Sequence, residues 1–133
     1  MTLLDTSALI DFLVDGDKSE AVEHLVSDGR AATSAICAYE LVAGVKSRKH
    51  RRERETLIDA MEVIPVDTAI TIRAAHLYTD LRSRGITIDN EDLLVGATAL
   101  ELDISLLTCN LGHFEPIPGV RLEEGKPRQD EAR

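Results

Sequence analysis

The sequence predicts an α/β domain in which a parallel sheet of four to five strands carries helices on both faces. Short apolar runs alternate along the chain with segments whose apolar residues recur at helical spacing. Strands separated by helices are joined by crossovers, and crossover connections produce parallel strands. A length of 133 residues, with 44% apolar and 29% charged residues, is typical of one folded domain.

The first strand is predicted at residues 2–4 and ends at Asp5. Apolar residues at helical spacing then predict a helix over 8–13, which Gly16 interrupts. A second helix is predicted over 21–26, before an Asp-Gly pair that ends it.

The second strand is predicted at residues 31–33, followed by Ser34 as a helix cap. The helix after it carries apolar residues over 36–45. A charged helix follows, with an apolar face at 57–61, and a third strand is predicted at 63–64.

Asp67 is predicted to cap a long amphipathic helix that carries apolar residues over 70–81. Asp89 starts a helix whose residues 93–100 are apolar on nearly all sides, so this helix should be central and buried. Two further short strands are predicted, at 104–107 and 120–122.

Residues 1–122 are predicted to form one domain, and the polar residues 123–133 a disordered tail. No apolar run approaches the roughly 18 residues of a membrane span, so we expect a cytoplasmic protein without a membrane partner. The net charge of -9 argues against broad, unspecific DNA binding, which requires a basic face. It does not exclude a nuclease whose carboxylates surround metal ions.

The two cysteines, Cys37 and Cys109, are too few for a disulfide framework and do not form a CxxC motif. Both lie among apolar residues in the sequence. We therefore interpret them as small core residues.

Three acids and one amide are predicted near the carboxyl edge of the sheet, where open parallel sheets bind ligands: Asp5, Glu40, Asp92 and Asn110. Carboxylates gathered without cations repel one another, and a hard divalent cation such as Mg²⁺ or Mn²⁺ removes that conflict. Capping of helix N-termini is an alternative role for Asp5, and for Asp92 together with Asp89. Glu40 has apolar neighbours on several sides, which makes a solvated helix face a poor explanation for it.

Four segments that contain these residues follow one another along the chain. The first is LLDTSALIDFL at residues 3–13, and the second is SAICAYELVAG at 34–44. The third is DLLVGATALELDISLLTCN at 92–110, and the last is NLGHFEPIPGVRL at 110–122. In this order they resemble the PIN-domain ribonucleases, specifically the VapC type of toxin from toxin–antitoxin pairs. The resemblance covers about residues 1–122.

The resemblance implies a PIN-like α/β/α sandwich and an endoribonuclease that needs Mg²⁺, with Mn²⁺ as a substitute. It implies Asp5 and Asp92 as principal metal ligands, with Glu40 bound directly or through water. Asn110 stands where relatives often carry an acid, so it keeps an oxygen and loses a charge.

Supporting roles around the site are implied for Thr6 and Thr108, and Asp89 is interpreted as a helix cap rather than a ligand. His113 is interpreted as a loop residue at the rim of the site. The implied partners are an RNA substrate, an antitoxin protein and a second copy of the chain in a homodimer.

Residues 46–54, KSRKHRRER, are strongly basic in an otherwise acidic protein. One interpretation is a solvated helix face on which Glu53 and Glu55 pair with Lys49 and Arg51. The other is a surface that contacts RNA phosphates or an acidic antitoxin segment. Its candidate residues are Lys46, Arg48, Lys49, Arg51 and Arg52.

Two other functions remain open from the sequence. A receiver-like signalling domain would use Asp67, after the third strand, as its phosphoacceptor, although paired acids after the first strand are missing. A catalytically silent PIN-like binding module would keep the fold without turnover, although all three acids are present.

Overall fold

We describe the fold from a computed structural model, which describes residues 1–124. Most of the predicted tail, residues 125–133, lies outside this range, so its disorder stays a prediction. Glu123, which was assigned to the tail, instead belongs to the last strand. In the described range no helix combines the length and hydropathy needed to cross a membrane.

Five strands and seven helices alternate along the described chain. They are β1 (Thr2–Leu4), α1 (Thr6–Leu13), α2 (Ser19–Ser27), β2 (Ala31–Ser34), α3 (Ala35–Val42), α4 (Arg48–Asp59), β3 (Glu62–Ile64), α5 (Thr68–Ser83), α6 (Asn90–Leu102), β4 (Ser105–Leu107), α7 (Leu111–Phe114) and β5 (Leu122–Glu123).

The strands form one parallel sheet in the order β3-β2-β1-β4-β5. The predicted fold class is thus confirmed. Leu4 at the end of β1 lies beside Thr33 of β2 on one side and beside Leu107 of β4 on the other. After β3 the chain returns to add β4 on the other side of β1. A switch point therefore lies between β1 and β4, and such a point opens a crevice at the carboxyl ends of the strands.

Helices cover both faces of the sheet. Leu3 contributes to a core cluster with α5, α6 and α7, whereas its neighbour Leu4 contributes to a second cluster with α1, α2 and α4. This split follows from the strand geometry, because successive side chains point to opposite faces. Helix α6 is buried along most of its length, as its apolar sequence predicts.

The predicted caps at Ser34 and Asp67 are confirmed, since each side chain accepts a hydrogen bond from the first turn of its helix. The helix predicted over 36–45 ends earlier, at Val42, because the chain turns through Gly44 with φ +79°. The short helix α7 was not predicted. Cys37 is buried as expected, but the core assignment of Cys109 is wrong, because Cys109 lies exposed just after β4.

Candidate active site

Asp5 stands at the switch point of the sheet and is held there by three hydrogen bonds. Its Oδ1 accepts from the Ser7 hydroxyl at 2.7 Å and from the Ala8 amide at 3.0 Å, while its Oδ2 accepts from the Thr108 hydroxyl at 2.6 Å. A carboxylate has about four acceptor positions, so one position on Oδ2 remains for a ligand. The capping role considered for Asp5 is real, and it coexists with an orientation toward the crevice.

Ser7 is a site residue that sequence reasoning missed. Besides donating to Asp5, its oxygen accepts a hydrogen bond from the Cys109 amide at 2.9 Å. Thr108 accepts from the Asn110 amide at 2.9 Å, so the two hydroxyls tie the start of α1 to the turn that carries Asn110. The only available signal was the position of Ser7 two residues after Asp5, which also fits an ordinary first helical turn.

Glu40 reaches the site from α3. Its Oε1 accepts a hydrogen bond from the Thr6 hydroxyl at 3.0 Å, which gives Thr6 a supporting position at the start of α1. Cys37 lies one helical turn before Glu40 and faces the same cavity. Burial raises the pKa of the Cys37 thiol to about 11, so it is a neutral wall of the site at pH 7.

Asp92 lies in the first turn of α6, and its Oδ2 is 3.2 Å from Nδ1 of His113. Burial raises the pKa of the Asp92 carboxyl, and the nearby charges of Asp89, Asp5 and Glu40 raise it further, against the opposing effect of His113. His113 was interpreted as a rim residue and does lie at the edge, in α7, with its side chain 56% exposed.

These side chains line one cavity of about 170 Å³. Its walls include every residue predicted as a metal ligand, namely Asp5, Glu40, Asp92 and Asn110, together with Thr6, Asp89 and His113. Asp89 occupies the N-cap position of α6, as expected for a residue that starts this helix, but its side chain makes no capping hydrogen bond. In the described part of the chain, no lysine or arginine lines this cavity.

The cavity fits a hard divalent cation, because it offers several carboxylate oxygens and one amide oxygen, and no lysine or arginine is among its described lining residues. Within residues 1–124, no three His, Cys, Asp or Glu side chains already stand in a chelating arrangement. An ion of the Mg²⁺ type suits such a site, since it retains several waters and binds through one or two carboxylates.

The basic segment lies apart from the acidic cavity, mainly on the exposed face of α4. Arg48, Lys49 and Arg52 line a groove of about 610 Å³. Arg54 has a structural role instead, since it donates to the backbone oxygen of Leu41 at 2.7 Å. Within residues 1–124, Glu53 and Glu55 form no ion pair with Lys49 or Arg51. The pairing expected for a solvated helix face is therefore not observed.

Asp67, the phosphoacceptor that a receiver domain would need, is placed after β3 at the edge of the sheet. Its carboxylate accepts the capping hydrogen bond from the Ile70 amide at 2.9 Å. Asp67 does not line the cavity that contains Asp5. This placement is incompatible with the receiver alternative, in which the acids after the first and third strands meet.

The family model of the PIN domain matches residues 2–117. The chain belongs to the PIN-domain family. It is 34% identical over 113 residues to a protein of Methanocaldococcus jannaschii named ribonuclease VapC1, a match that covers 85% of this chain and 78% of that protein. It is 27% identical to the tRNA(fMet)-specific endonuclease VapC of Salmonella typhimurium, covering 92% of this chain and 96% of that protein.

A solved PIN-domain structure agrees with this placement. The VapBC2 complex of Rickettsia felis, determined bound to a DNA fragment from its promoter, contains a chain that is similar to this one with a TM-score of 0.76 and 29% identity. The match covers 92% of this chain and 96% of the chain in the complex. The predicted resemblance to VapC-type PIN domains is confirmed.

Proposed function

We propose that this PIN domain is a divalent-metal-dependent endoribonuclease that acts as the toxin of a toxin–antitoxin pair. The observation that carries the proposal is the convergence of Asp5, Glu40 and Asp92 on one cavity without a lysine or arginine among its described lining residues. The printed names of its relatives, ribonuclease and endonuclease, support the reaction class.

The proposed metal ligands are Asp5 and Asp92, with Glu40 and Asn110 contributing directly or through water. We propose Mg²⁺ as the ion, with Mn²⁺ able to replace it, because both accept sets of oxygen ligands. The raised pKa of Asp92 supports this assignment, since a cation at this position would offset the repulsion among the acids.

When bound, the ion supplies an acidified water and a positive charge beside the phosphodiester. The residues of the chain orient this chemistry. Ser7 and Thr108 hold the Asp5 carboxylate in place at the cavity, and Thr6 holds Glu40. The 2′-hydroxyl of RNA is not needed as the nucleophile, so we expect products with 5′-phosphate and 3′-hydroxyl ends.

An antitoxin protein is the proposed partner, supported by the similarity to the chain of the VapBC2 complex. The basic groove on α4 offers a surface for an acidic segment of such a partner or for RNA. The homodimer stays a prediction, which analytical ultracentrifugation of the purified chain tests.

The proposal is tested by incubating the purified chain with total RNA in the presence of Mg²⁺ or Mn²⁺ and mapping the ends of the products. We expect cleavage that EDTA abolishes, and an Asp92→Asn preparation purified in parallel excludes a contaminating nuclease. Cleavage in EDTA, or 2′,3′-cyclic phosphate ends, would contradict the proposal. Metal binding without any cleavage would favour the silent binding module.

A further inference from the structure

A second cavity, of about 230 Å³, opens beside the acidic one. The two cavities share three residues, Asp89, Asp92 and His113. The two cavities therefore adjoin, and the distance between them is short enough for neighbouring parts of one ligand to occupy both.

The second cavity has the walls of a site for a flat ring. Ile88 and Pro116 contribute side chains that cannot hydrogen-bond, and the half-exposed imidazole of His113 offers an aromatic face. Gly112 leaves one wall open, because a Cβ built there meets no atom within 4 Å. The volume lies below that of pockets for drug-sized ligands, which span roughly 300–1,000 Å³, so it suits one ring system rather than a whole nucleotide.

The polar groups of this cavity favour a ligand edge that donates hydrogen bonds. Asp89 occupies the N-cap position of α6 but makes no capping hydrogen bond, whereas Asp5 and Asp67 both cap their helices. Its carboxylate is therefore available as an acceptor at the junction of the two cavities. Thr87 adds a hydroxyl to the same wall.

We infer that this cavity binds the base of a nucleotide next to the bond that is cut, and that it determines which RNA sequence is cleaved. The inference rests on the proposed endoribonuclease function. Single-stranded RNA is read in this way, by stacking of splayed bases on aromatic side chains and by hydrogen bonds to their edges. Guanine fits best, since its adjacent N1–H and N2–H₂ donors match the two oxygens of the Asp89 carboxylate.

Gly112 gives a direct way to close the cavity. Its backbone does not have a positive φ, so a side chain is sterically permitted, and Gly112→Leu extends into the open space. Gly112 is not one of the proposed metal ligands. Ala69→Leu, in the exposed first turn of α5, is the matched control, because it adds a similar side chain away from both cavities.

The probe is a short single-stranded RNA of mixed sequence that contains guanine, compared with versions that lack one base at each position in turn. Binding is measured by fluorescence anisotropy with Ca²⁺, a cation that also takes oxygen ligands and offsets the charge of the carboxylates, and cleavage is measured separately with Mg²⁺. In the unmodified chain we expect one abasic position to weaken binding by about 5- to 100-fold, the range for loss of one stacked base. In Gly112→Leu, removal of the same base should cause no further loss of binding affinity. Ala69→Leu should behave like the unmodified chain.

The subsite would be overturned if the unmodified chain bound all abasic RNAs equally well. It would also be overturned if removal of the base weakened binding to Gly112→Leu as much as it weakens binding to the unmodified chain. A second readout is the base preference at that position, which Asp89→Asn should shift away from guanine. Base-dependent binding without cleavage would reject the proposed nuclease activity and keep the subsite. Cleavage together with base-independent binding would support the nuclease activity and reject the subsite.

Discussion

The Thr108 hydroxyl donates a hydrogen bond of 2.6 Å to Oδ2 of Asp5, across 103 positions of sequence. Both residues are almost fully buried, with Thr108 0% and Asp5 6% exposed. Because β1 and β4 are neighbours in the sheet, this bond joins their carboxyl ends at the switch point. Together with Ser7 it leaves one acceptor position of Asp5 facing the cavity, which fits a ligand that binds an ion through a single oxygen.

Asp5→Asn should fold normally and cleave RNA slowly. Asparagine caps a helix as well as aspartate does, so the start of α1 is preserved. The charge that would hold the cation is lost, and we expect cleavage to fall by more than the roughly 10- to 100-fold that is typical when a partner of a metal ligand is removed. Asp67→Asn is the control, since Asp67 caps α5 away from the cavity. Rate constants with a defined RNA substrate measure both variants, and normal cleavage by Asp5→Asn would refute its assignment.

Ser7→Ala should raise the concentration of Mg²⁺ or Mn²⁺ needed for half-maximal activity. The variant frees Oδ1 of Asp5 from one donor and removes the acceptor for the Cys109 amide, so the carboxylate is no longer fixed. Loss of such a supporting partner typically weakens metal sites by about 10- to 100-fold. Calorimetric titration with Mn²⁺ measures the effect independently of turnover.

Ser83→Ala serves as the control for Ser7→Ala, because the exposed Ser83 hydroxyl donates to the backbone oxygen of Asp80 in the last turn of α5, away from the cavity. Ser7→Thr keeps a hydroxyl and should recover much of the metal affinity. An unchanged metal affinity in Ser7→Ala would show that Asp5 is held sufficiently by Thr108 and the Ala8 amide.

Asp92→Asn should stabilise the metal-free protein at neutral pH. Burial raises the pKa of Asp92, so the folded chain holds this proton more tightly than the unfolded chain does. The charged carboxylate is therefore unfavourable above its raised pKa, and the penalty disappears as the pH falls toward the ordinary value of 3.8. Because the side chain is partly exposed, we expect a modest rise in Tm, about 2 °C in EDTA.

Calorimetry in EDTA at several pH values tests this linkage. The difference in Tm between Asp92→Asn and the unmodified chain should shrink as the pH is lowered through the carboxyl range. Asp103→Asn should show no such gain, since Arg121 lowers the pKa of Asp103. A lower Tm for Asp92→Asn at neutral pH would mean that its pairing with His113 outweighs the burial of the charge.

Neutralising Lys49, Arg51 and Arg52 together should weaken RNA binding and flatten its dependence on salt. Each lost phosphate contact reduces the slope of log K against log[salt] by about 0.7 for a single strand. Binding titrations at several salt concentrations measure the slope. If affinity and slope are unchanged, the basic segment does not contact RNA and is a solvated helix face in that complex. Binding of the antitoxin to the same variant is then the next measurement.

Arg54→Gln should lower the stability of the fold, because Arg54, unlike the cations that line the groove, donates a hydrogen bond within the protein. It loses the hydrogen bond to the Leu41 backbone oxygen, which joins α4 to α3. We expect a lower free energy of unfolding, by about 1 to 2 kcal/mol, with little change in the salt dependence of RNA binding. Urea denaturation provides the measurement, and a normal stability would place Arg54 with the solvent-exposed cations.

The sequence alone predicted the order of the strands and of the longer helices, the caps at Ser34 and Asp67, and the buried character of α6. These features depend on neighbours within a few residues, so local periodicity and capping chemistry predict them. It also indicated that Asp5, Glu40 and Asp92 would meet, because parallel strands bring their carboxyl ends to one edge.

The hydrogen bonds that hold those acids could not be predicted from local sequence patterns. The contacts of Ser7 with Cys109, and of Thr108 with Asp5, depend on β1 lying beside β4, and strand order is set by the packing of the whole chain. The same holds for Asp89, whose N-cap position was predictable while the absence of a capping hydrogen bond was not. Local patterns specify which residues enter a helix or strand, whereas distances between residues far apart in sequence arise only when the sheet and its helices pack together.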